Sequence, residues 1–148
     1  MQTTGITIDL SGNDQDAMEI IRNAGSYYHE MLFVQDQTEI YSRPDGGYMF
    51  PEEMYNASAV LKECEADAII ISAKILLYNS EVEFRAITTL EDFLNSNCRS
   101  VILIYDSTNI EIYSKDKDYI EQVQKLCIAK NWDNAIMGAL ERSCLQIK

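Results

Sequence analysis

Apolar and polar positions along the chain fall into short blocks of distinct period. In residues 5–10, Ile6, Ile8 and Leu10 alternate with Thr7 and Asp9, which predicts a strand with one buried face. Ser11-Gly12-Asn13-Asp14 reads as a turn. Asp14 or Asp16 then predicts a helix cap, with Ala17, Ile20, Ile21 and Ala24 on one helical face and Gly25 as the stop. Tyr27–Val34 and Thr38–Ser42 are rich in aromatic and branched residues and predict two strands, with Gln35-Asp36-Gln37 as a hairpin turn between them. Arg43-Pro44-Asp45-Gly46-Gly47 is the clearest loop. Pro51 predicts the first position of a helix, where its missing N–H is harmless. Glu52 and Glu53 would meet the positive end of that helix, and Met54, Ala57, Leu61 and Cys64 would form its buried stripe.

The second half is more apolar. Ala68–Tyr78 is dominated by Ile and Leu and predicts a central strand. Thr88-Thr89-Leu90-Glu91 fits a capping box between Thr88 and Glu91, opening a short helix that buries Leu90, Phe93 and Leu94. Val101–Tyr105 and Ile110–Tyr113 flank Asp106-Ser107-Thr108-Asn109 and predict a hairpin. Asp116 caps a helix running to about Lys130, with Ile120, Val123 and Cys127 inward, Tyr119 and Leu126 beside them, and Asn131 as its stop. Asn134–Leu140 fits a helix or a strand, the strand being preferred, and Cys144–Ile147 reads as a terminal strand. The expected fold class is α+β: one mixed, mainly antiparallel sheet with three to four helices packed on one side of it, in a single domain 1–148.

Composition adds a direction to this picture. Residues 1–61 hold ten Asp/Glu against Arg22 and Arg43, a charge of −8 out of the chain's −12. Such a field disfavours nucleic acid and anionic membrane and favours basic partners. The longest apolar runs, Ala68–Ile71 and Val101–Tyr105, are too short to span a bilayer. MQTTGITIDL has no secretory pattern, and Cys64, Cys98, Cys127 and Cys144 include no close pair of the kind that holds zinc. Reduced thiols without an export signal point to the cytoplasm.

Candidate chemistry is sparse. Cys98, followed by Arg99, is the best nucleophile, and His29 is the chain's one histidine, but no motif links the two. Otherwise Cys98 fills a core corner, and His29, inside an aromatic-rich strand, is a packed residue or a surface contact. Asp9, Asn13 and Asp14 lack the glycine and glutamate placement of a calcium loop and read as a turn and a cap. Gly46-Gly47 beside Arg43 matches no phosphate-binding fingerprint. Glu52/Glu53, Glu81/Glu83 and Glu91/Asp92 have local explanations as helix-start or solvated charges. No catalytic residue, metal or cofactor is expected.

Several segments together resemble a known family. They are Gly5-Ile6, Met49-Phe50-Pro51-Glu52-Glu53, Asp92-Phe93-Leu94-Asn95-Ser96-Asn97-Cys98, Leu103-Ile104-Tyr105-Asp106-Ser107 and Ile112-Tyr113-Ser114-Lys115-Asp116-Lys117. In order and spacing they resemble a small uncharacterised family of Bacillus-type (Firmicute) proteins, a domain of unknown function. The likeness runs over most of the chain and is strongest from about Thr88 to Glu121. It implies a small bacterial cytoplasmic protein and carries no activity, ligand or catalytic residue. The family's charged turn before the last strand has no counterpart in Ala135–Leu140, which is mostly apolar.

The tyrosines give the functional expectation. Tyr28, Tyr41 and Tyr48 share a stretch with Glu30, Asp36, Glu39 and Asp45, and aromatic anchors on an acidic surface suit a basic protein partner. The first expectation is therefore a non-enzymatic acidic protein-binding module, inhibitor- or immunity-like. A small-molecule sensor and a cysteine enzyme using Cys98 are the alternatives. A homodimer through an exposed strand edge is left open.

Overall fold

The computed structural model describes residues 3–10, 17–79 and 86–140. The expected turn at 11–14, the cap at Asp14 or Asp16, the Glu81/Glu83 pair and the strand Cys144–Ile147 lie outside them. The elements run β1 (Thr3–Asp9), α1 (Ala17–Tyr27), β2 (Glu30–Phe33), β3 (Glu39–Ser42), β4 (Met54–Asn56), α2 (Ala57–Glu63), β5 (Ala68–Tyr78), α3 (Leu90–Leu94), β6 (Ser100–Tyr105), β7 (Asn109–Ser114), α4 (Lys117–Lys130) and β8 (Asp133–Leu140). The fold is α+β, as expected: one open sheet of eight strands with four helices. Its order is β4-β2-β5-β6-β7-β1-β8, with β3 also on β5, and every described pairing is antiparallel.

The alternation of each strand sends its side chains to two cores. Ile6, Ile8, Ile75, Leu77, Ile102, Ile104, Ile110 and Ile112 face α1, α2 and α4. Leu76, Tyr78, Val101, Leu103 and Tyr113 face the other way, where α3 supplies Leu90 and Phe93. The helices therefore lie on both faces, not on one. The cause is visible in β5, whose residues from Ala73 to Tyr78 are buried on both sides. A strand buried on both sides needs a covering layer above and below.

Five local expectations need correction. Tyr27–Val34 is not one strand: α1 continues through Gly25 to Tyr27, and β2 is only Glu30–Phe33. Gly25 does not stop the helix. A Cβ there would sit 3.2 Å from Leu61 Cδ2, so the glycine lets α2 approach α1 closely. Nor do β2 and β3 form a hairpin. Both run antiparallel to β5, Glu30 opposite Tyr78 and Ser42 opposite Ala68, as one strand interrupted by a 3-10 turn at Gln35–Gln37. Thr38 is buried at this break, and its hydroxyl accepts from the Lys74 amide at 3.3 Å.

Pro51 does not open a helix. Residues 49–53 run along the outer edge of β2 and β3, held by Met49 N–H to Ile40 carbonyl at 2.7 Å and Phe33 N–H to Glu53 carbonyl at 2.8 Å. Met54 enters β4, and α2 begins at Ala57, where the Asn56 side chain accepts from Ala59 N–H at 2.9 Å. Finally, the capping box of α3 lies one residue later than expected. Thr89 accepts from the Asp92 amide, and the Asp92 carboxylate accepts from the amides of Thr88 and Thr89 and from the Thr88 hydroxyl. These bonds, the Thr88 amide first, draw the exposed Asp92 carboxyl below its ordinary value.

The other expected elements stand where the pattern put them. β5 is central, β6 and β7 form a hairpin, α4 ends on left-handed Asn131 (φ 60°), and Asn134–Leu140 lies within β8. At the β6–β7 turn, Asp106 and Ser107 both have positive φ, 50° and 70°. This matches the twist of a hairpin but strains residues that carry a Cβ. Ser107→Gly is accordingly expected to raise stability by about 0.5–1 kcal/mol. A urea melt would show it as a higher midpoint at unchanged slope, and a lower midpoint would contradict the strained turn.

Candidate functional site

The interruption between β2 and β3 shapes an acidic recess. The chain leaves β3 at Ser42 and turns through Pro44-Asp45-Gly46-Gly47, where Gly46 has φ 72° and the Asp45 carboxylate accepts from Gly47 N–H at 2.7 Å. It then returns against β3, Tyr48 bridging to Tyr41. Beyond Met49, Phe50 takes a left-handed φ of 58°, a strained state for a bulky residue. Its buried ring is fixed by a stack on Phe33 (4.2 Å between centroids, 7° between planes) and an edge contact to Tyr55 at 5.3 Å. The Gln35 amide nitrogen donates to the carbonyls of Phe33, Phe50 and Glu52 at 3.2, 3.2 and 2.9 Å, tying the strap to the 3-10 turn. Glu52 N–H donates to the Tyr55 hydroxyl at 2.9 Å.

These bonds hold open a recess of about 480 Å3 between the 45–48 turn, the 49–52 strap and the end of α2. Asp45, Glu52 and Glu63 lie in its lining and are exposed, Tyr48 and Tyr55 supply aromatic surface, and no described lysine or arginine lines it. Burial pushes the Tyr55 hydroxyl above its ordinary pKa, with Glu52 and Glu63 adding to the rise. Tyr48 is raised in the same way, burial first, then Tyr41 and Glu39. Arg43, just outside, pairs with Asp67 at 3.2 Å.

Four of the seven expected partner-binding residues come together here. Tyr41 and Tyr48 meet edge to face at 5.5 Å, with Glu39 near Tyr48 and Asp45 in the recess wall. Asp36 is exposed on the 3-10 turn and faces the Lys74 side of the sheet. Glu30 is half-buried on β2 opposite Tyr78 and Asn56, away from the recess. Tyr28 is 1% exposed and cannot touch a partner. Pattern reading missed Glu52, Tyr55 and Glu63, because it took Glu52 as a helix-start charge and ran one helix from Pro51, where the chain instead makes a strap, β4 and α2.

Tyr28 belongs instead to a buried polar network. Its hydroxyl donates to Asp116 Oδ2 at 2.7 Å and bonds Ser100 Oγ at 2.5 Å. Ser100 donates to Ser114 at 2.7 Å across the β6–β7 pair, and Ser114 accepts from the Asp116 amide at 2.8 Å. Arg99 reaches both Asp116 oxygens, through Nε to Oδ2 at 3.3 Å and through Nη2 to Oδ1. Asp116 thus occupies the cap position of α4 while its carboxylate serves the network and bonds no helix N–H. The rings of Tyr27, Tyr28 and Tyr119 pack against one another, tilted or edge to face, at 4.8–5.2 Å between centroids.

The cysteine alternative meets opposing geometry. Cys98 is fully buried, its Sγ directed at the carbonyls of Ser100 and Leu77, and burial pushes its thiol up to about 12. A nucleophile needs the reverse, an exposed thiol of lowered pKa. His29 is exposed at the α1–β2 junction. Among the described residues no three His, Cys, Asp or Glu are grouped to hold a metal, and no helix is long and apolar enough to cross a membrane.

The Asp116 network gives a pH signature. Burial raises its carboxyl pKa, but the Arg99 and Tyr28 hydrogen bonds and the Arg99 charge outweigh that and leave it below its ordinary value. A carboxyl depressed by folding contributes stability that is full above its unfolded value of about 3.9 and fades as the pH falls through the lower folded one. Asp116→Asn is expected to lower stability by about 2 kcal/mol at pH 7 and to flatten the loss below pH 4. Urea melts from pH 2 to 7 check it; parallel pH curves for variant and parent would contradict it.

Comparison with known proteins adds the family. No curated protein and no solved structure matches the chain. A family model described as "Protein of unknown function (DUF2691)" matches residues 5–139, from β1 through nearly all of β8. With most of its length so matched, the chain belongs to the DUF2691 family.

Proposed function

We propose that the protein is a non-catalytic docking module, inhibitor- or immunity-like, that takes a basic segment of another protein into the recess formed by Asp45, Tyr48, Glu52, Tyr55 and Glu63. The observation that carries this reading is the lining: three exposed carboxylates around two tyrosines, with no described cation among them. A lysine or arginine side chain would place its apolar stem on the Tyr48 and Tyr55 rings and its charge among the carboxylates. The strap that forms one wall is fixed by Gln35 and by the Phe33–Phe50 stack, so little ordering is left to binding. Work in the cytoplasm of a Bacillus-type bacterium fits the buried free thiols of Cys64, Cys98 and Cys127 and the resemblance noted from the sequence.

The test must separate this recess from the general acidity of the chain. Binding of a labelled arginine-rich peptide, followed by fluorescence anisotropy, is expected to saturate at one peptide per chain and weaken as salt rises. Glu52→Lys/Glu63→Lys should weaken it at least tenfold, about 1.4 kcal/mol, while Glu91→Lys/Glu121→Lys, the same charge change elsewhere, leaves it within twofold. Equal losses in the two double variants would refute the docking recess.

The sensor reading has one observation in its favour. A crevice of about 560 Å3 lies between β2, β5 and residues 86–88, with Leu32, Val34, Leu76 and Ile87 in its walls and the 3% exposed Lys74 among them. A thermal shift on adding a small metabolite, removed by Leu76→Gln in a folded variant, would favour this reading over the first.

A further inference from the structure

We propose that the recess selects arginine over lysine, so that the segment it takes is read through a guanidinium and not through positive charge alone. The proposal rests on the docking reading above and names the side chain that enters. Asp45, Glu52 and Glu63 attract any cation. Their separation, and the two tyrosine rings beside them, discriminate between the basic side chains.

The three carboxylates belong to three parts of the chain. Asp45 is on the turn after β3, Glu52 on the strap and Glu63 at the end of α2. All line one recess, yet among the described residues no three acids are grouped so as to hold a single metal ion. Asp45 has also committed Oδ1 to the Gly47 amide. A lysine ammonium is a compact charge, and from any one point in the recess it meets only part of this set. A guanidinium is planar and carries five N–H donors in a fixed fork, so it can bond separated carboxylates at once. It is also the more weakly hydrated of the two and loses less on leaving water.

The rings favour the same side chain. The Tyr55 hydroxyl accepts from the Glu52 amide at 2.9 Å, and the Tyr48 hydroxyl donates to the Thr38 carbonyl. With each polar tip bonded to backbone, these tyrosines offer a ligand mainly ring surface. Tyr48 is 38% exposed. Tyr55 is half-buried and stands nearly perpendicular to Phe33 and Phe50, at 5.7 and 5.3 Å between centroids. Each ring is held at its backbone and at its hydroxyl, so binding has little left to order. A guanidinium stacks flat on such a ring and adds cation–π attraction to its carboxylate bonds, whereas a hydrated ammonium gains less.

Two labelled peptides of one length test the proposal on the full chain by fluorescence anisotropy: the arginine-rich peptide, and a twin with lysine at every arginine. The lysine twin is expected to bind about fivefold more weakly. Raising the salt should weaken both while their ratio holds, because ring contact is not screened as net charge is. Tyr55→Leu should bring the two peptides within about twofold by weakening the arginine one, while Tyr55→Phe, which keeps the ring, should retain the preference. Because Tyr55 also packs on Phe33 and Phe50, Tyr48→Leu is measured beside it and should reduce the preference about twofold. Each variant is first checked for the parental circular dichroism. Equal affinities for the two peptides would overturn the proposal and leave the docking recess standing. A preference untouched by both leucine variants would overturn it as well. If neither peptide binds, the docking reading falls and this one with it.

Discussion

Strand β5 is eleven residues long, its partners β2 and β3 are four each, and that mismatch shapes the acidic side of the molecule. A buried strand must have its amides and carbonyls paired along its whole length. One unbroken partner would satisfy β5, but the chain supplies two pieces with Gln35–Gln37 between them. The break carries the Gln35 amide outward, where it meets the carbonyls of Phe50 and Glu52. The strap those bonds anchor covers the outer edge of β2 and β3 and forms one wall of the recess. The recess is in this sense a by-product of pairing β5.

The opposite end of the strands is governed by a different rule. Burying the Tyr28 hydroxyl, Ser100 and Ser114 between sheet and helices demands partners for each, and Asp116 supplies the anion that closes the set. Arg99 in turn neutralises Asp116. A network with every member bonded rigidifies its surroundings; with one member missing it leaves a buried polar group unpaired. Among the described residues three buried side-chain oxygens, those of Thr3, Asn23 and Tyr119, have no hydrogen-bond partner, and the Tyr119 hydroxyl is so placed beside the bonded Tyr28. Tyr119 is held by its ring contacts, Tyr28 by its oxygen.

The sheet was largely legible because its signals are local. β1, β5, β6, β7 and β8 each show their period within a few residues, and α4 shows both its stripe and its Asn131 stop. What misled the reading was competition between local propensity and tertiary pairing. Pro51 with two glutamates is a sound helix start, yet the edge of β2 claims residues 53–56 for a strand. Gly25 is a sound helix stop, yet the approach of Leu61 makes it a contact residue within α1. Composition pointed to the segment in which Tyr41, Tyr48, Glu39 and Asp45 come together. The error at Tyr28 has a simple source: sequence cannot tell a tyrosine that shows its face from one that buries it, since both fates suit the same side chain.

The two cores each enclose their own sulfur. Cys98 sits in the layer under α3, while Cys64 and Cys127 sit in the layer under α1, α2 and α4, and burial raises these two thiols to about 11. A buried thiol reacts only when its surroundings open. Labelling kinetics at these three positions therefore time the opening of each layer separately, without any reporter being introduced. If all three share one rate, the sheet opens as a unit. If Cys98 is faster, the small α3 layer lifts off while the three-helix layer stays closed, and the chain's own sulfurs record the order of its disassembly.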